Sequence, residues 1–473
     1  MRRIIPMTLL ILLTACIGMT ETPQTSTKLS REQLREDFRI LRQALEEGHS
    51  GIYRYTSKAE MDRIFDQAEK SLDKPMDILE LYRVVAPVVG AIKCGHTALR
   101  LPDPVRQELT EKTPLLPLQV RILDQKVYVF RDLVHADRRL AGKEIRSVNG
   151  VPASRIVTTL LPMMVDDGDG AGLRQIQASG NFGIYLVTLM RLRAPYEVTV
   201  TDSGTGREET VRLAGMELTK IREASQAQAQ KPAPADEPAL SFLDDDRIAV
   251  MRIPEFSGLH GFFEGSFKEI QAKRTRTLIL DVRDNGGGDD SLGKLLFSYF
   301  VDKPFRYYDD LILNKTSFSF EKYTTQSMLP PPSAFEKGKD GKYHWVTHPN
   351  WGINQPSQPT FRGKVLILIN GRSFSTTSEF LSHMHFNQRA TFLGEESGGG
   401  YYGNTSGYMP TIILPHSGIS LHLPLVTYYM AVKGYKEASR GVIPDYPVSY
   451  TIAELIAGKD KEMELALKLA RQP

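Results

Sequence analysis

The residues that could do chemistry gather in three short stretches of the C-terminal half. Asn370-Gly371-Arg372-Ser373-Phe374-Ser375-Thr376-Thr377-Ser378-Glu379-Phe380 follows the apolar run 364–369 and reads as a strand, a tight turn and the start of a helix. Ser375 would then stand near a helix N-terminus, where unpaired N–H groups and the helix dipole favour negative charge, a setting that suits a nucleophilic serine. The run 278–288 carries Asp281, Arg283 and Asn285 from a buried strand into Gly286-Gly287-Gly288. Such a cluster lets bare backbone N–H groups come against an oxyanion. A third glycine-rich loop, Gly394 to Gly403, follows another strand, at the end of a sheet where α/β crevices lie. Singly, each has an ordinary explanation: a hydroxyl before a helix is usually a cap, and glycine clusters are usually turns.

These stretches need a scaffold, and the hydrophobic pattern supplies one. Short apolar runs at 247–253, 277–282, 364–369 and 390–393 are bounded by glycine and separated by amphipathic segments. They argue for an α/β core over residues 240–473, built on a largely parallel sheet covered on both faces. Residues 307–361, rich in Pro, Lys and aromatics, are too long for a plain connection and predict an irregular excursion over the site. Upstream, Ser30 stands three residues before Gln33 as in a capping box, and Leu34, Phe38, Leu41 and Leu45 recur at helical spacing, as do Ile78, Leu81, Val85 and Val88. Residues 29–105 therefore read as a small helical domain. Between the two lies a β-rich segment, 115–215, with alternating short strands such as 127–130 and 196–200. The Ala-, Gln- and Pro-rich stretch 222–239 can bury almost nothing and reads as a linker or surface insertion.

The chain has 473 residues, 41% hydrophobic and 24% charged, enough for two to four domains with a large core. Its 59 Lys and Arg against 56 Asp and Glu leave a formal charge of +3, and no basic run interleaved with aromatics gives nucleic acid a footprint. Arg2-Arg3 precede an apolar stretch, 4–13, too short for a membrane span of ~20 residues, so 1–15 reads as a signal peptide. Its end, Leu13-Thr14-Ala15-Cys16, resembles the bacterial lipobox, which makes Cys16 the lipidated first residue of an exported, membrane-anchored cell-envelope protein on a polar tether, 16–28. One acyl chain anchors only marginally, so several are expected. Cys94 is the other cysteine, so no intramolecular disulfide staples the mature chain and a buried inert thiol is expected. His383 and His385, two apart on a helix, point to different faces; neither a metal nor a cofactor is expected.

Together the three stretches resemble the tail-specific, or C-terminal-processing, serine peptidase family. Its motifs Asp-x-Arg-x-Asn-x-Gly-Gly, a serine-rich turn ending in Ser-Glu-Phe, and Gly-x-x-Pro-Asp recur in order at 281–288, 373–380 and 441–445. Gly48-His49-Ser50-Gly51-Ile52-Tyr53 and Gly95-His96-Thr97 are also similar, so the resemblance covers nearly the whole mature chain. It implies a crotonase-like catalytic core and a PDZ-like module over 115–215, in which a strand and a helix take an extended peptide by edge addition. It also implies cleavage of protein or peptide substrates through an acyl-enzyme formed on the serine.

The branch of the family with a lysine base puts it where this chain has Gly400, and no lysine occurs between Ser375 and Lys433. The other branch, similar to the tricorn protease core, takes its base from an upstream histidine in a His-Thr context and orients it with a glutamate before the Pro-Asp motif. His96 and Glu437 occupy those places, with Glu395 or Glu396 as alternatives to Glu437. The resemblance thus implies Ser375 as nucleophile, His96 as base, Glu437 as its orienting acid, and the N–H groups of Gly287 and Thr376 as oxyanion donors. Gly288 is a near-equal candidate for Gly287. Ser373, Thr376 and Ser378 compete with Ser375, because the turn is one residue longer than the simplest family pattern. Gly95 stands where the tricorn-like tetrad has a serine. The competing reading is a catalytically inactive lipoprotein that keeps the fold to bind peptides or other ligands.

Overall fold

The computed structural model describes residues 28–228, 237–324 and 329–472. The signal peptide, Cys16, most of the tether and the middle of the expected linker lie outside the described residues. Among those described, no helix is long and apolar enough to cross a membrane.

Three helices open the chain: α1 (Arg31–Gly48), α2 (Lys58–Ser71) and α3 (Ile78–Ile92). The expected capping box is present: Gln33 N donates to Ser30 Oγ and Ser30 N donates to Gln33 Oε1. The apolar stripe of α1, including Leu34, Phe38, Leu41 and Leu45, is buried against α2 and α3. This helical unit does not keep a core to itself. Eight buried side chains of the C-terminal half complete it: Phe318, Phe320, Ile412, Leu414, Ile419, Leu421, Leu423 and Leu425. At roughly 2 kcal/mol for each buried side chain, these weld the unit to the rest of the chain. The strand Ala98–Arg100 adds to the same seam by pairing antiparallel with Ser420–His422. Just before it, α3 ends on Lys93 in the left-handed conformation, and the turn Cys94-Gly95-His96-Thr97 follows.

The C-terminal half is the expected α/β sheet, of six strands. Ile248–Arg252, Thr277–Asp281, Lys364–Ile369 and Thr391–Gly394 run parallel, Tyr446–Pro447 extends one edge, and Ala239–Leu243 closes the other antiparallel. Strict alternation sorts the two faces. Leu278, Leu280, Val365 and Ile367 meet Phe263, Phe267, Leu296, Phe297 and Phe380 on one side, while Ile279, Leu366 and Leu368 meet Ala466 of the last helix on the other. The central strands 277–281 and 364–369 are neighbours in register, Asp281 opposite Leu368. The glycine cluster and the serine-rich turn therefore leave the sheet side by side, at its C-terminal edge.

The β-rich segment is a six-stranded antiparallel sheet, with Leu118–Leu123 at one edge and the helix Gly172–Gly180 packed on that strand. Two boundaries differ from expectation. Where residues 307–361 were expected to be an irregular excursion, part of them joins a sheet: Tyr308–Leu313 pairs with Val426–Met430 and with Tyr343–Trp345, in a five-stranded sheet that continues through Thr405–Ser406. The strand signal in 308–313 was weak, because Asp309 and Asp310 interrupt the apolar residues Tyr308 and Leu311-Ile312-Leu313. The helix Leu218–Ala227 also runs into the expected linker, because Glu, Gln and Ala are good helix formers even where they bury nothing.

Candidate active site

Ser375 stands at the N-cap of the helix Thr376–Phe386, yet its side chain makes no capping hydrogen bond. Its backbone is at φ 57°, ψ −127°, a region that costs a non-glycine residue of order 1–3 kcal/mol and persists only when the surroundings impose it. The surroundings are the Asn285 knot. Phe374 N and Thr377 Oγ1 both donate to Asn285 O, at 3.0 and 3.1 Å, and the fully buried Asn285 amide in turn donates to Ile253 O at 3.0 Å. The hydroxyl so presented meets His96: Nε2 lies 3.0 Å from Ser375 Oγ across 279 residues of sequence. The imidazole stacks on Phe374, ring centroids 4.6 Å apart. Burial holds His96 below the ordinary histidine range, with the charge of Asp167 opposing that fall. A neutral ring with a nitrogen this close to a serine hydroxyl can act as a general base.

The other hydroxyls of the turn are already committed. Ser373 Oγ donates to Val282 O, Thr376 Oγ1 to Gly288 O and Ser378 Oγ to Ser375 O, each at 2.8 Å. None of them reaches a histidine, so the geometry singles out Ser375 from its three competitors.

The sequence carries a family signature to match this geometry: residues 247–448 fit the model of peptidase family S41. That segment, which carries Ser375, is a match to the family, and the chain is a serine-type peptidase. Among solved structures, mature CPAF is similar with a TM-score of 0.60 at 14% identity, covering 93% of this chain and 97% of that one. Mature CPAF complexed with lactacystin gives the same score and identity, over 93% and 98%. The photosystem II D1 C-terminal processing protease is more distant, TM-score 0.41 at 14% identity over 88% and 93%. The likeness to CPAF is one of fold, and it extends through the helical and β-rich units as well as the S41 segment. No curated protein matches the sequence.

Two expectations for this S41 site need correction. Glu437 is exposed, and no hydrogen bond among the described residues joins its carboxylate to His96. The expected alternatives are also engaged or turned elsewhere: Glu396 takes Arg440 and Gly441 N, and Glu395 faces Glu462. The carboxylate beside the base is Asp167, which the sequence reading missed. Its Oδ1 accepts from Gly95 N at 2.9 Å, and one of its oxygens, a His96 ring nitrogen and Cys94 Sγ lie within 4.8 Å of one another. The run Asp166-Asp167-Gly168-Asp169-Gly170 reads as an ordinary turn, so the sequence held no signal that set Asp167 apart. Second, Gly287 N donates to Asn285 Oδ1 at 2.9 Å, so it has no hydrogen to offer an oxyanion. The N–H of Gly288 and that of Thr376 make no hydrogen bond among the described residues.

Gly287 matters in another way. With φ at 104°, it packs so closely that a Cβ there would lie 2.6 Å from Ser375 Cβ and 3.0 Å from Thr376 N. Gly287→Ala is expected to displace the nucleophile and lower kcat/KM about 100-fold, mostly through kcat, in steady-state assays on a peptide substrate. A loss of less than fivefold would show that the turn yields without cost. Gly400 explains the missing lysine, since a Cβ there would meet Tyr55 Oη at 2.4 Å. Gly95 explains the missing serine: a Cβ would meet the Phe374 ring at 2.5 Å. The expected inert thiol holds, for Cys94 is buried, donates to Thr405 O at 3.4 Å, and is pushed up to about 12 by burial.

Proposed function

We propose that this chain is an exported, lipid-anchored endopeptidase of the histidine-dependent, tricorn-like kind, in which Ser375 attacks the peptide carbonyl as His96 removes its proton. His96 Nε2 then returns the proton to the leaving amine, the acyl group remains on Ser375 Oγ, and water activated by the same nitrogen releases it. Gly288 N–H and Thr376 N–H serve as the oxyanion donors, at ~3 kcal/mol each in comparable enzymes. The observation that carries the reading is the 3.0 Å contact between His96 Nε2 and a strained serine that caps nothing.

The β-rich unit acts as a PDZ-like substrate module. Supporting that role is a cavity of ≈ 180 Å³ between the edge strand Leu118–Leu123 and the helices 172–180 and 182–188, lined by Leu116, Leu118, Phe182 and Ile184. The core is of the crotonase-like type, and the anchor is Cys16, supported by the Leu13-Thr14-Ala15-Cys16 sequence. A fluorophosphonate probe tests the central claim. It is expected to label the wild-type chain covalently at Ser375, with labelling lost in Ser375→Ala. No label on folded wild type, or equal labelling of both, would favour a peptide-binding lipoprotein without activity.

A further inference from the structure

We propose that Asp167, on a loop of the β-rich unit, is the positioning carboxylate of the catalytic base, accepting a hydrogen bond from His96 Nδ1. The proposal rests on the reading of Ser375 and His96 as nucleophile and base. With Nε2 turned to Ser375, the imidazole has one nitrogen left, and that Nδ1 is buried with no partner. Asp167 Oδ2 is likewise buried with no partner, on a residue only 1% exposed. A lone donor and a lone acceptor are thus enclosed in one small space, the Cys94, His96 and Asp167 group, in which a His96 ring nitrogen, an Asp167 oxygen and Cys94 Sγ lie within 4.8 Å of one another. Leaving both unpaired would cost each group its desolvation with nothing in return, so their pairing is the arrangement with the lower energy. It also selects the reactive tautomer. A hydrogen held at Nδ1 leaves the Nε2 lone pair to take the Ser375 proton, and the carboxylate then steadies the imidazolium.

The loop is built to deliver this group. Asp167 Oδ1 is fixed by Gly95 N, the residue next to the base. Gly168 N donates to Lys93 O at 3.0 Å, Asp169 N to Ser439 O at 2.7 Å, and Gly399 N to Asp166 Oδ1 at 3.0 Å. The loop is therefore tied to the helical unit on one side and to two core loops on the other. Gly95 fits the same scheme: it has no side chain to offer the site, but its amide holds the acid in place. The charged and titratable groups facing Asp167 are Arg54, Tyr55, Cys94 and His96 from the helical unit, Asp166 on its own loop, and Glu379 on the helix after the nucleophile. Each unit of the fold then contributes one member: Ser375 from the core, His96 from the helices, Asp167 from the β-rich sheet.

The test compares Asp167→Asn, Asp167→Glu and Glu437→Gln in the full chain, with fluorophosphonate labelling, kcat and KM on a peptide, and a pH profile. Asp167→Asn keeps an acceptor for Gly95 N but removes the charge. It is expected to lower kcat about 10³–10⁴-fold with KM within threefold. Because activity rises as the base becomes neutral, and the Asp167 charge holds the His96 pKa up, its loss should also move the acidic limb to lower pH. Asp167→Glu should recover part of kcat, and Glu437→Gln should match wild type. A kcat for Asp167→Asn within fivefold of wild type, or a 100-fold loss in Glu437→Gln, would overturn the proposal while Ser375 labelling of wild type still upheld the catalytic pair. Absence of wild-type labelling would instead remove the reading beneath it. Should Asp167→Asn fail to fold, Asp167→Ser carries the decision: an unshifted pH limb with kcat within fivefold of wild type would mean a structural role alone.

Discussion

Ser375→Ala is expected to lower kcat/KM by about 10⁴–10⁶-fold, or roughly 5–8 kcal/mol of transition-state stabilisation, while leaving KM near its wild-type value. The size follows from what the hydroxyl is used for. It caps no helix and bonds to His96, so its removal takes chemistry away and little else. Stability supplies a second, opposite readout. At φ 57°, ψ −127° any side chain with a Cβ is strained, and alanine inherits that strain whereas glycine does not. Ser375→Gly should therefore be as inactive as Ser375→Ala but more stable by about 1 kcal/mol, seen as a higher urea midpoint. Ordinarily glycine is the less stable of the two in regular structure. Equal midpoints would mean that the backbone relaxes and that the strain is not imposed by the Asn285 knot.

What could be read from the sequence divides along a physical line. The parallel sheet was legible because its strands are buried on both faces and appear as unbroken apolar runs between glycines, so 364–369 matches Lys364–Ile369 to the residue. Ser375 was legible because a strand, a turn and a helix start are local events. The pairing of Ala98–Arg100 with Ser420–His422 was not, since register between segments so far apart leaves no mark in either. The helices at 31–92 could be drawn, but not that their core would be finished by residues 318–425. The same limit produced the two site corrections. Glu437 was placed by its position before the Pro-Asp motif, and space put a different acid, from a different unit, against His96. Gly287 was placed by its motif, and the motif's own Asn285 side chain claims its N–H. In both cases the residue type was right for the task and the hydrogen-bond count decided against it.

Arg283→Ala is expected to destabilise the fold by about 3–5 kcal/mol, the largest stability loss of any single change to the Asp-x-Arg-x-Asn motif. The guanidinium, 17% exposed, grips Asp281 at 2.9 and 2.8 Å and Asp460 at 2.6 and 3.0 Å, and it also reaches Glu462 at 3.3 Å. Asp281 and Glu462 are only 6% and 5% exposed, so these are not surface pairs of the kind worth a fraction of a kcal/mol. Removing the cation leaves two enclosed carboxylates: Glu462 keeps the Tyr450 hydroxyl but faces Glu395, and Asp281 keeps the backbone N–H of residue 283 at 3.1 Å and the 3.4 Å contact to Arg252. Asp460 is also the N-cap of the last helix, accepting from Met463 N at 3.0 Å, so the loss should loosen that helix from its face of the sheet. Arg283→Lys keeps the charge but cannot form the two forks, and should fall between wild type and alanine. Urea unfolding measures all three. Activity gives the link back to the site: the glycine cluster begins three residues after Arg283, and a strand end no longer anchored lets Gly287 drift from Ser375, so kcat should fall along with stability even at temperatures where the variant is folded. Were Arg283→Ala to lose less than 1 kcal/mol, the network would be no stronger than an exposed pair, and the motif's arginine would need another reason to stand where it does.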